Sequence, residues 1–263
     1  METYYPELVD APDRAAALLR AVVERGARLT ARWMTAGFVH GVLNTDNMNM
    51  TGESFDYGPY RFLPKNDPNF VAAYFDHQGL YSFGRQPEAV FWNLRQLAGT
   101  LLLISPQEPL VEALNGFSDA YRAALIVAML NRLGVRAIDP EADNALVAAA
   151  FRALAEGGEA LRWEPFFFDW FCGTASEARA MNGARAAHYG GEAFLEFRAL
   201  LGAYRPDRPD RLSNPYFASP EPQDLLYDEI ESLWAAIAAH DDWAPLAAKL
   251  AAIETARTAW GLA

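Results

Sequence analysis

The chain has 263 residues, of which 52% are hydrophobic and 21% charged, a mixture typical of a globular protein that buries its own core. Its net charge of -12 argues against a general nucleic-acid surface, because such a surface needs clustered Lys and Arg to neutralise phosphates. Cys172 is the single cysteine, which excludes an intramolecular disulfide and a cysteine-based zinc site.

The N-terminal stretch METYYPELVDAPDR has no basic region followed by an apolar one, so we expect no signal peptide. The longest apolar run, ALIVAML from Ala124, is too short to span a membrane. These features predict a cytoplasmic protein in a reducing compartment, with neither a membrane nor a nucleic acid as a partner.

Apolar residues at helical spacing predict a first helix from Pro12 to Ala36, with Gly37 at the position of a C-terminal cap. Pro87 opens a second helix at a favoured first-turn position. The segment from Ser105 to Glu108 has the spacing of a capping box, and a long helical pattern follows it as far as Gly134.

A further helix is predicted over roughly 144–156, and one or two Ala-rich helices over the last forty residues. The aromatic-dense segment WEPFFFDWFC, 163–172, is interpreted as an irregular packing cluster rather than a binding cage, because aromatic residues dominate cores. The proline-rich stretch 205–222 is interpreted as an ordered loop or a linker. The predicted fold class is therefore mainly α.

One polar stretch interrupts the helical pattern: HGVLNTDNMNMTGESFDYGP, from His40 to Pro59. Thr51-Gly52 lies between two short segments and predicts a two-residue hairpin turn. Residues equidistant from such a turn face each other, so we expect Asn47 to lie opposite Asp56. Gly58 is expected to let the chain turn away.

An amide oxygen and a carboxylate that converge in this way suit Mg2+ or Mn2+, which bind through a few protein oxygens together with nucleotide phosphates. Asp46 precedes Asn47 and could orient a hydroxyl nucleophile or accept its proton. Protein kinases use the same order of catalytic Asp, metal-binding Asn and second metal-binding Asp, although they space the first two further apart. The alternative is plain turn chemistry, in which Asp and Asn bond their own backbone.

The stretches HGVLNTDNMNMTGESFDYGP and FDHQGLYSFGRQPEAVFWNLRQLAGTLL resemble the SelO (YdiU) family, whose pattern is HGVMNTDNMSxxGxTIDYGP followed by DHQGRYxFxxQPxxAxWNLxRLAxxL. The resemblance is dense over roughly residues 5–135 and includes LGV at Leu133 and ADNALV at Ala142. Past about residue 160 it thins to scattered positions. Motifs of this length are highly specific.

The resemblance implies the C-terminal lobe of a protein-kinase-like fold, with a small β-hairpin that carries the catalytic motif. It also implies a protein adenylyltransferase that moves AMP from ATP onto Ser, Thr or Tyr hydroxyls of proteins. By motif position, Asp46 would be the proton acceptor, and Asn47 and Asp56 the Mg2+ ligands, with Asp56 also binding the nucleotide. We expect His40 to brace the loop and His77 to hold the segment after the metal site.

The sequence also departs from the family pattern. We expect the N-terminal nucleotide-binding lobe to be absent, since no G-x-G-x-x-G run occurs and the only lysines are Lys65 and Lys249. Leu80 stands where the family usually has Arg, and the family's C-terminal cysteine or selenocysteine segment is missing. Asn214 begins a segment, NPYFASPEPQD, that differs from the family's NPxFVLRN.

The prediction is one kinase-like lobe over 1–263, with a core match at 5–135 and a divergent helical remainder at 136–263. Its function would be that of an AMP-transferring enzyme, weak or inactive without the missing lobe, which a separate chain could supply. Two alternatives stay open at this stage. One is a phosphotransferase that binds ATP the usual way round, and the other is a non-catalytic interaction module, a pseudoenzyme.

Overall fold

A computed structural model describes residues 1–261, and this part of the chain is mainly helical. Ten α-helices and two short strands follow each other along it. Their bounds are α1 Arg14–Ala36, β1 Phe38–Val39, β2 Arg61–Phe62, α2 Gln86–Leu101, α3 Gln107–Asn115, α4 Phe117–Leu133, α5 Pro140–Gly157, α6 Trp163–Trp170, α7 Glu177–Asn182, α8 Glu192–Leu201, α9 Tyr227–His240 and α10 Ala244–Trp260. Strands β1 and β2 form a two-stranded sheet.

The chain divides into two compact units. The first comprises Met1–Arg61 and Asp67–Ala128, and the second comprises Phe62–Asn66 and the chain from Met129 onward. The single kinase-like lobe inferred from the sequence stays a prediction. No helix within the described residues is long and apolar enough to cross a membrane.

In the first unit, α1 packs against α2 and α3 through an apolar stripe. Asp13 caps α1, its Oδ1 accepting a hydrogen bond from the Ala16 amide at 2.9 Å, and Gly37 ends the helix in the left-handed region with φ 63°. The helix therefore ends where the sequence predicts it and begins two residues after the predicted Pro12. The buried members of the stripe are Ala16, Leu19, Val22, Val23, Ala27, Val90, Leu94, Ala98, Leu110 and Ala113.

The second unit is built around α5 packed on α8 and around the aromatic helix α6. The large side chains of this core are almost completely buried. They are Trp163, Phe166, Phe167, Trp170, Phe171, Tyr189, Phe194 and Phe197. The prediction of a packing cluster is confirmed, but its irregular backbone is wrong, since Trp163–Trp170 is helical and Pro165 sits in the first turn, where no amide donor is needed.

Two other expectations for the helices are wrong. Ser105 does not cap α3, because its Oγ donates instead to Asp13 Oδ2 at 2.6 Å and α3 begins at Gln107 without a side-chain cap. The long helix predicted towards Gly134 is interrupted at Gly116, where α3 ends and α4 begins. Glycine weakens a helix interior and makes such a break inexpensive.

Candidate active site

The polar loop from His40 to Pro59 follows β1 and is hydrogen-bonded to helix α2. The His40 amide donates to Gln86 Oε1 at 3.0 Å, and Gln86 Nε2 donates to the Phe38 carbonyl at 2.9 Å. Two turns further along the same face of α2, Asn93 Nδ2 donates to the Leu43 carbonyl at 2.9 Å. Side chains of helix α2 thus hold the loop through hydrogen bonds to the loop backbone, and not by apolar packing alone.

Sequence reasoning missed Gln86 and Asn93, although a signal for them exists. Both are polar residues, seven positions apart, within the stripe of α2 that otherwise carries Val90, Leu94 and Leu97. A polar side chain on a buried stripe needs a hydrogen-bond partner, and an irregular neighbouring backbone is the nearest source of one.

The hairpin is reduced to a single antiparallel bridge between Met48 and Ser54. The Asn49 amide donates to the Glu53 carbonyl at 2.9 Å, so three residues rather than two form the turn. The cause is the side chain of Asn49, whose Oδ1 accepts from the Thr51 amide at 3.2 Å, an Asx turn that tightens the corner before Gly52 at φ 79°.

The predicted pairing of Asn47 with Asp56 is therefore wrong by one residue. The Phe55 amide donates to the Asn47 carbonyl at 3.4 Å, which places Phe55 opposite Asn47 and Asp56 one position beyond. Asp56 itself adopts the left-handed region with φ 56°, so the sharp turn expected at Gly58 occurs at the acid. Left-handed backbone is uncommon outside glycine, although Asp and Asn tolerate it best, and such positions cluster at functional sites.

The three residues singled out from the sequence lie in two environments. Asp46 and Asn47 share a short 3-10 helix, Thr45–Asn47, in which Asp46 is exposed and Asn47 is buried with 5% of its surface accessible. Asp56 is exposed. Within residues 1–261, neither carboxylate makes a hydrogen bond or an ion pair, which leaves both open to a ligand.

Asn47 is oriented by the loop that carries it. Its Nδ2 donates to the Val42 carbonyl at 3.0 Å, and among the described residues its Oδ1 has no hydrogen-bond donor. The loop thus carries one amide oxygen and two carboxylates that no described residue uses, and oxygen ligands of this kind suit Mg2+ or Mn2+. The described part of the chain holds no cluster of three or more His, Cys, Asp and Glu residues able to bind a metal by itself.

His40 is fully buried and makes three hydrogen bonds through its backbone and ring. Its Nδ1 accepts from the Val42 amide at 3.3 Å, and its Nε2 lies 2.9 Å from Ser54 Oγ. Burial lowers the pKa of His40 below its usual value, and backbone hydrogen bonding and the carboxylate of Asp56 offset this only in part. The ring therefore braces the loop through hydrogen bonds on both of its nitrogens.

His77 does not play the structural part expected of it. Its side chain is exposed and makes no hydrogen bond within the described chain. The neighbouring Asp76 organises this segment instead, since its two carboxylate oxygens accept from the amides of Leu80 and Tyr81, both at 2.8 Å. The side chain of Leu80 is itself about half exposed.

Both lysines of the chain are engaged in ion pairs of the second unit. Lys65 Nζ lies 2.6 Å from Glu159 Oε1, and Lys249 Nζ lies 2.7 Å from Glu229 Oε2 and 3.1 Å from Gln223 Oε1. Neither lysine is presented for binding the phosphates of a nucleotide in the way that the lysine of a kinase-like enzyme is.

A cavity of about 380 Å³ lies between α1, α2 and the loop. Thr45 and Met48, the residues on either side of Asp46 and Asn47, belong to its wall, and so does Gly26 of α1. The lining is mainly apolar, which does not suit a phosphate or a metal ion. The other lining residues are Val22, Asn49, Met50, Val90, Asn93, Leu94, Gln96, Leu97 and Thr100.

Comparison with known proteins places this geometry in context. The family model described as "Protein adenylyltransferase SelO" matches residues 1–254. A protein nucleotidyltransferase YdiU of Synechocystis sp. is 38% identical over 92% of this chain and 54% of its own length. Proteins of the same name are 39% identical in Gloeobacter violaceus, over 92% of this chain and 51% of theirs, and 42% identical in Pseudomonas putida strain F1, over 60% and 32%. The chain spans about half the length of the first two relatives.

Proposed function

Because this chain belongs to the SelO family of protein adenylyltransferases, we propose that it supplies the proton acceptor and the metal ligands of an AMP-transferring enzyme. The observation that carries the proposal is the loop itself. It carries an amide whose Oδ1 has no donor among the described residues, Asn47, and two exposed carboxylates without an internal partner, Asp46 and Asp56. The proposed architecture is the larger lobe of a kinase-like fold.

In the proposed reaction the hydroxyl oxygen of a Ser, Thr or Tyr side chain attacks the α-phosphorus of ATP. The bond from that phosphorus to the oxygen bridging to the β-phosphate breaks, and pyrophosphate leaves. Asp46 aligns the hydroxyl and accepts its proton, a role that needs an exposed carboxylate without a competing internal partner.

Asn47 Oδ1 and the Asp56 carboxylate would hold Mg2+ or Mn2+, with Asp56 also contacting the nucleotide through the metal. Such a cation supplies electrostatic stabilisation of the charge that develops on the phosphate oxygens. Both lysines are engaged in ion pairs, so the phosphate-binding lysine typical of kinase-like enzymes is proposed to come from a separate lobe. We therefore expect the chain alone to be weak or inactive, and a separate N-terminal lobe is a proposed partner.

The substrates proposed are proteins with accessible hydroxyl side chains, and not nucleic acids, since the net charge is -12. The single cysteine, Cys172, is buried as a thiol, which fits a reducing compartment such as the cytoplasm.

A calorimetric titration with ATP, with and without Mg2+, tests the metal site directly. We expect binding that depends on Mg2+ and that is lost in Asp56→Ala. Glu53→Ala is the matched control, because Glu53 is an exposed carboxylate of the same turn whose contact in the structure is the Thr51 hydroxyl, 2.7 Å away. Equal binding by both variants would contradict the proposed site.

ATP labelled at the α- or the γ-phosphate then separates the candidate activities. With the proposed N-terminal lobe added, transfer of the α-label to protein is the expected result. Transfer of the γ-label would instead show a phosphotransferase, and Mg2+-dependent ATP binding without either transfer, even with an added N-terminal lobe, would favour a non-catalytic module.

A further inference from the structure

We propose that Ser54 and His40 are positioning residues that lock Asn47 and the segment bearing Asp56 into one rigid metal-binding unit. This inference rests on the proposed function, since it concerns the same metal site. It adds two residues that never touch the metal, and it assigns them a task that can be measured apart from catalysis.

The argument begins with a closed circuit of hydrogen bonds inside the first unit. His40 Nε2 lies 2.9 Å from Ser54 Oγ, and Ser54 Oγ donates in turn to the carbonyl of Asn47. Asn47 Nδ2 donates to the Val42 carbonyl at 3.0 Å, and the Val42 amide donates to His40 Nδ1 at 3.3 Å. Four residues thus form a ring, defined here as the His40 ring.

The position of one proton, the one on the His40 imidazole, determines the donor and the acceptor of every side-chain bond in this four-residue His40 ring. Because Nδ1 accepts from a backbone amide, a neutral imidazole must carry its hydrogen on Nε2, which then donates to Ser54 Oγ. The serine hydroxyl is left to donate to the Asn47 carbonyl. No member of the ring competes with another for the same hydrogen.

The ring fixes the metal-facing atom of Asn47 through the planarity of its amide. A carbonyl can accept only from the NH2 end of the side chain, so the bond to Val42 decides which end is Nδ2. Once Nδ2 is held, Oδ1 has a single position on the other arm of the same plane. Burial of Asn47 at 5% accessibility limits its alternative rotamers.

The ring also ties the two ligand-bearing segments together. Ser54 precedes Asp56 by two residues, and the nearest backbone bond between the segments, from the Phe55 amide to the Asn47 carbonyl, is long at 3.4 Å. The Ser54 hydroxyl therefore reinforces a weak link at the point where both ligands are set. Partners that orient metal ligands in this way typically contribute 10–100-fold to metal affinity or activity.

The test measures Mn2+ bound in the presence of ATP by electron paramagnetic resonance, in the full chain. Ser54→Ala is expected to weaken Mn2+ binding about tenfold. Ser54→Thr keeps the hydroxyl and is expected to bind within about twofold of the parent chain, a rescue that a purely steric role of Ser54 does not predict. Thr51→Ala removes a hydroxyl from the same turn outside the ring and is expected to leave binding unchanged.

Measuring Asp56→Ala in the same experiment distinguishes failure of the positioning role from failure of the proposed metal site. If Asp56→Ala loses Mn2+ while Ser54→Ala and Thr51→Ala bind equally well, the positioning role is overturned and the metal site stands. If Asp56→Ala binds Mn2+ like the parent chain, or the parent chain binds none, the proposed metal site is wrong and the inference falls with it.

A second measurement on the unmutated chain guards against a variant that fails to fold. Nitrogen-15 spectra of the imidazole are expected to show His40 with its hydrogen on Nε2, and the Asn47 side-chain amide with one strongly hydrogen-bonded proton. A His40 tautomer with the hydrogen on Nδ1 could not accept from the Val42 amide. It is therefore incompatible with the four-residue His40 ring and would overturn the proposal without any substitution.

Discussion

Two segments of this chain have extreme compositions, and the structure treats their acids in opposite ways. Asp169 of the aromatic helix α6 is buried, and both of its carboxylate oxygens accept hydrogen bonds. Arg185 donates to the two oxygens at 2.7 and 2.8 Å, and the Tyr189 hydroxyl donates to one of them as well. The polar loop leaves Asp46 and Asp56 exposed, with no hydrogen bond or ion pair among residues 1–261.

The difference separates an acid whose partners are supplied by the fold from two acids that the fold leaves without partners. A buried carboxylate is tolerated only when its partners are supplied by the protein, as they are around Asp169. Burial and the carboxylate of Asp169 also raise the pKa of Tyr189. Asp46 and Asp56, in contrast, have no such partners among the described residues, and the role proposed for them is binding rather than stabilisation of the fold.

The largest expected effect is a loss of stability when the buried acid Asp169 is neutralised. Asp169→Asn removes the charge that Arg185 faces in the core, and we expect the free energy of unfolding to fall by about 3–5 kcal/mol. Urea unfolding followed by tryptophan fluorescence measures the loss. Glu196→Gln breaks an exposed pair with Arg152, which should cost less than about 1 kcal/mol. Similar losses in both variants would refute the distinction.

The second prediction concerns the loop. Asp46→Asn is expected to change the free energy of unfolding by less than about 0.5 kcal/mol, because the carboxylate has no internal partner among the described residues. Transfer of α-labelled AMP is expected to fall by about 100-fold or more. A loss of stability above about 1 kcal/mol would instead support a loop-stabilising hydrogen bond, the alternative role for Asp46.

The third prediction is a pH dependence that originates in the loop. Because burial lowers the pKa of His40 in the folded chain, the unfolded chain binds the proton more readily below the usual value of 6.5. Stability should therefore decrease as the pH falls below about 6.5, by at most about 1.4 kcal/mol per pH unit, until the folded-state pKa is reached.

Equilibrium unfolding at several pH values between 5 and 8 checks this slope. His40→Gln should flatten it, whereas His77→Gln, a change at an exposed ring, should leave it intact. A steeper profile that both variants share would assign the pH dependence to other groups.

The smallest expected effect concerns the helix beneath the loop. Gly26 lies inside α1, and a Cβ built there would lie 3.6 Å from Val90 Cγ1, an ordinary contact. Gly26→Ala should stabilise the chain by about 0.5–1 kcal/mol, as expected for glycine in a helix interior. Gly52→Ala is the opposite control, because φ is 79° and its Cβ would come within 2.5 Å of Arg25 Cβ. Thermal unfolding compares the two, and stabilisation by Gly52→Ala would contradict the turn geometry.

Much of the helical framework could be predicted from the sequence, because its signals are local. A periodic apolar stripe between Asp13 and Gly37 indicates helix α1, and Pro87 in the first turn indicates α2. The capping box at Ser105 was misleading for the opposite reason. Its actual partner, Asp13, lies 92 residues earlier in the chain, and no local pattern reveals such a contact.

The candidate site was predictable in its residues and not in its register. The motif identifies Asp46, Asn47 and Asp56, whose roles stay predictions, while the side chain of Asn49 lengthens the turn by one residue and shifts every pairing. The ties from Gln86 and Asn93 and the ring through Ser54 depend on packing across tens of residues. They emerge only when the fold is known.

The short 3-10 helix Thr45–Asn47 has a consequence for how this loop can change. With about three residues per turn, neighbours on such a helix point about 120° apart, which is how Asp46 faces solvent while the adjacent Asn47 faces inward. The side chains of Asp46 and Asn47 therefore have a fixed angular relation on one short helix. Inserting a single residue between them would rotate one of the two side chains by about 120° relative to the other.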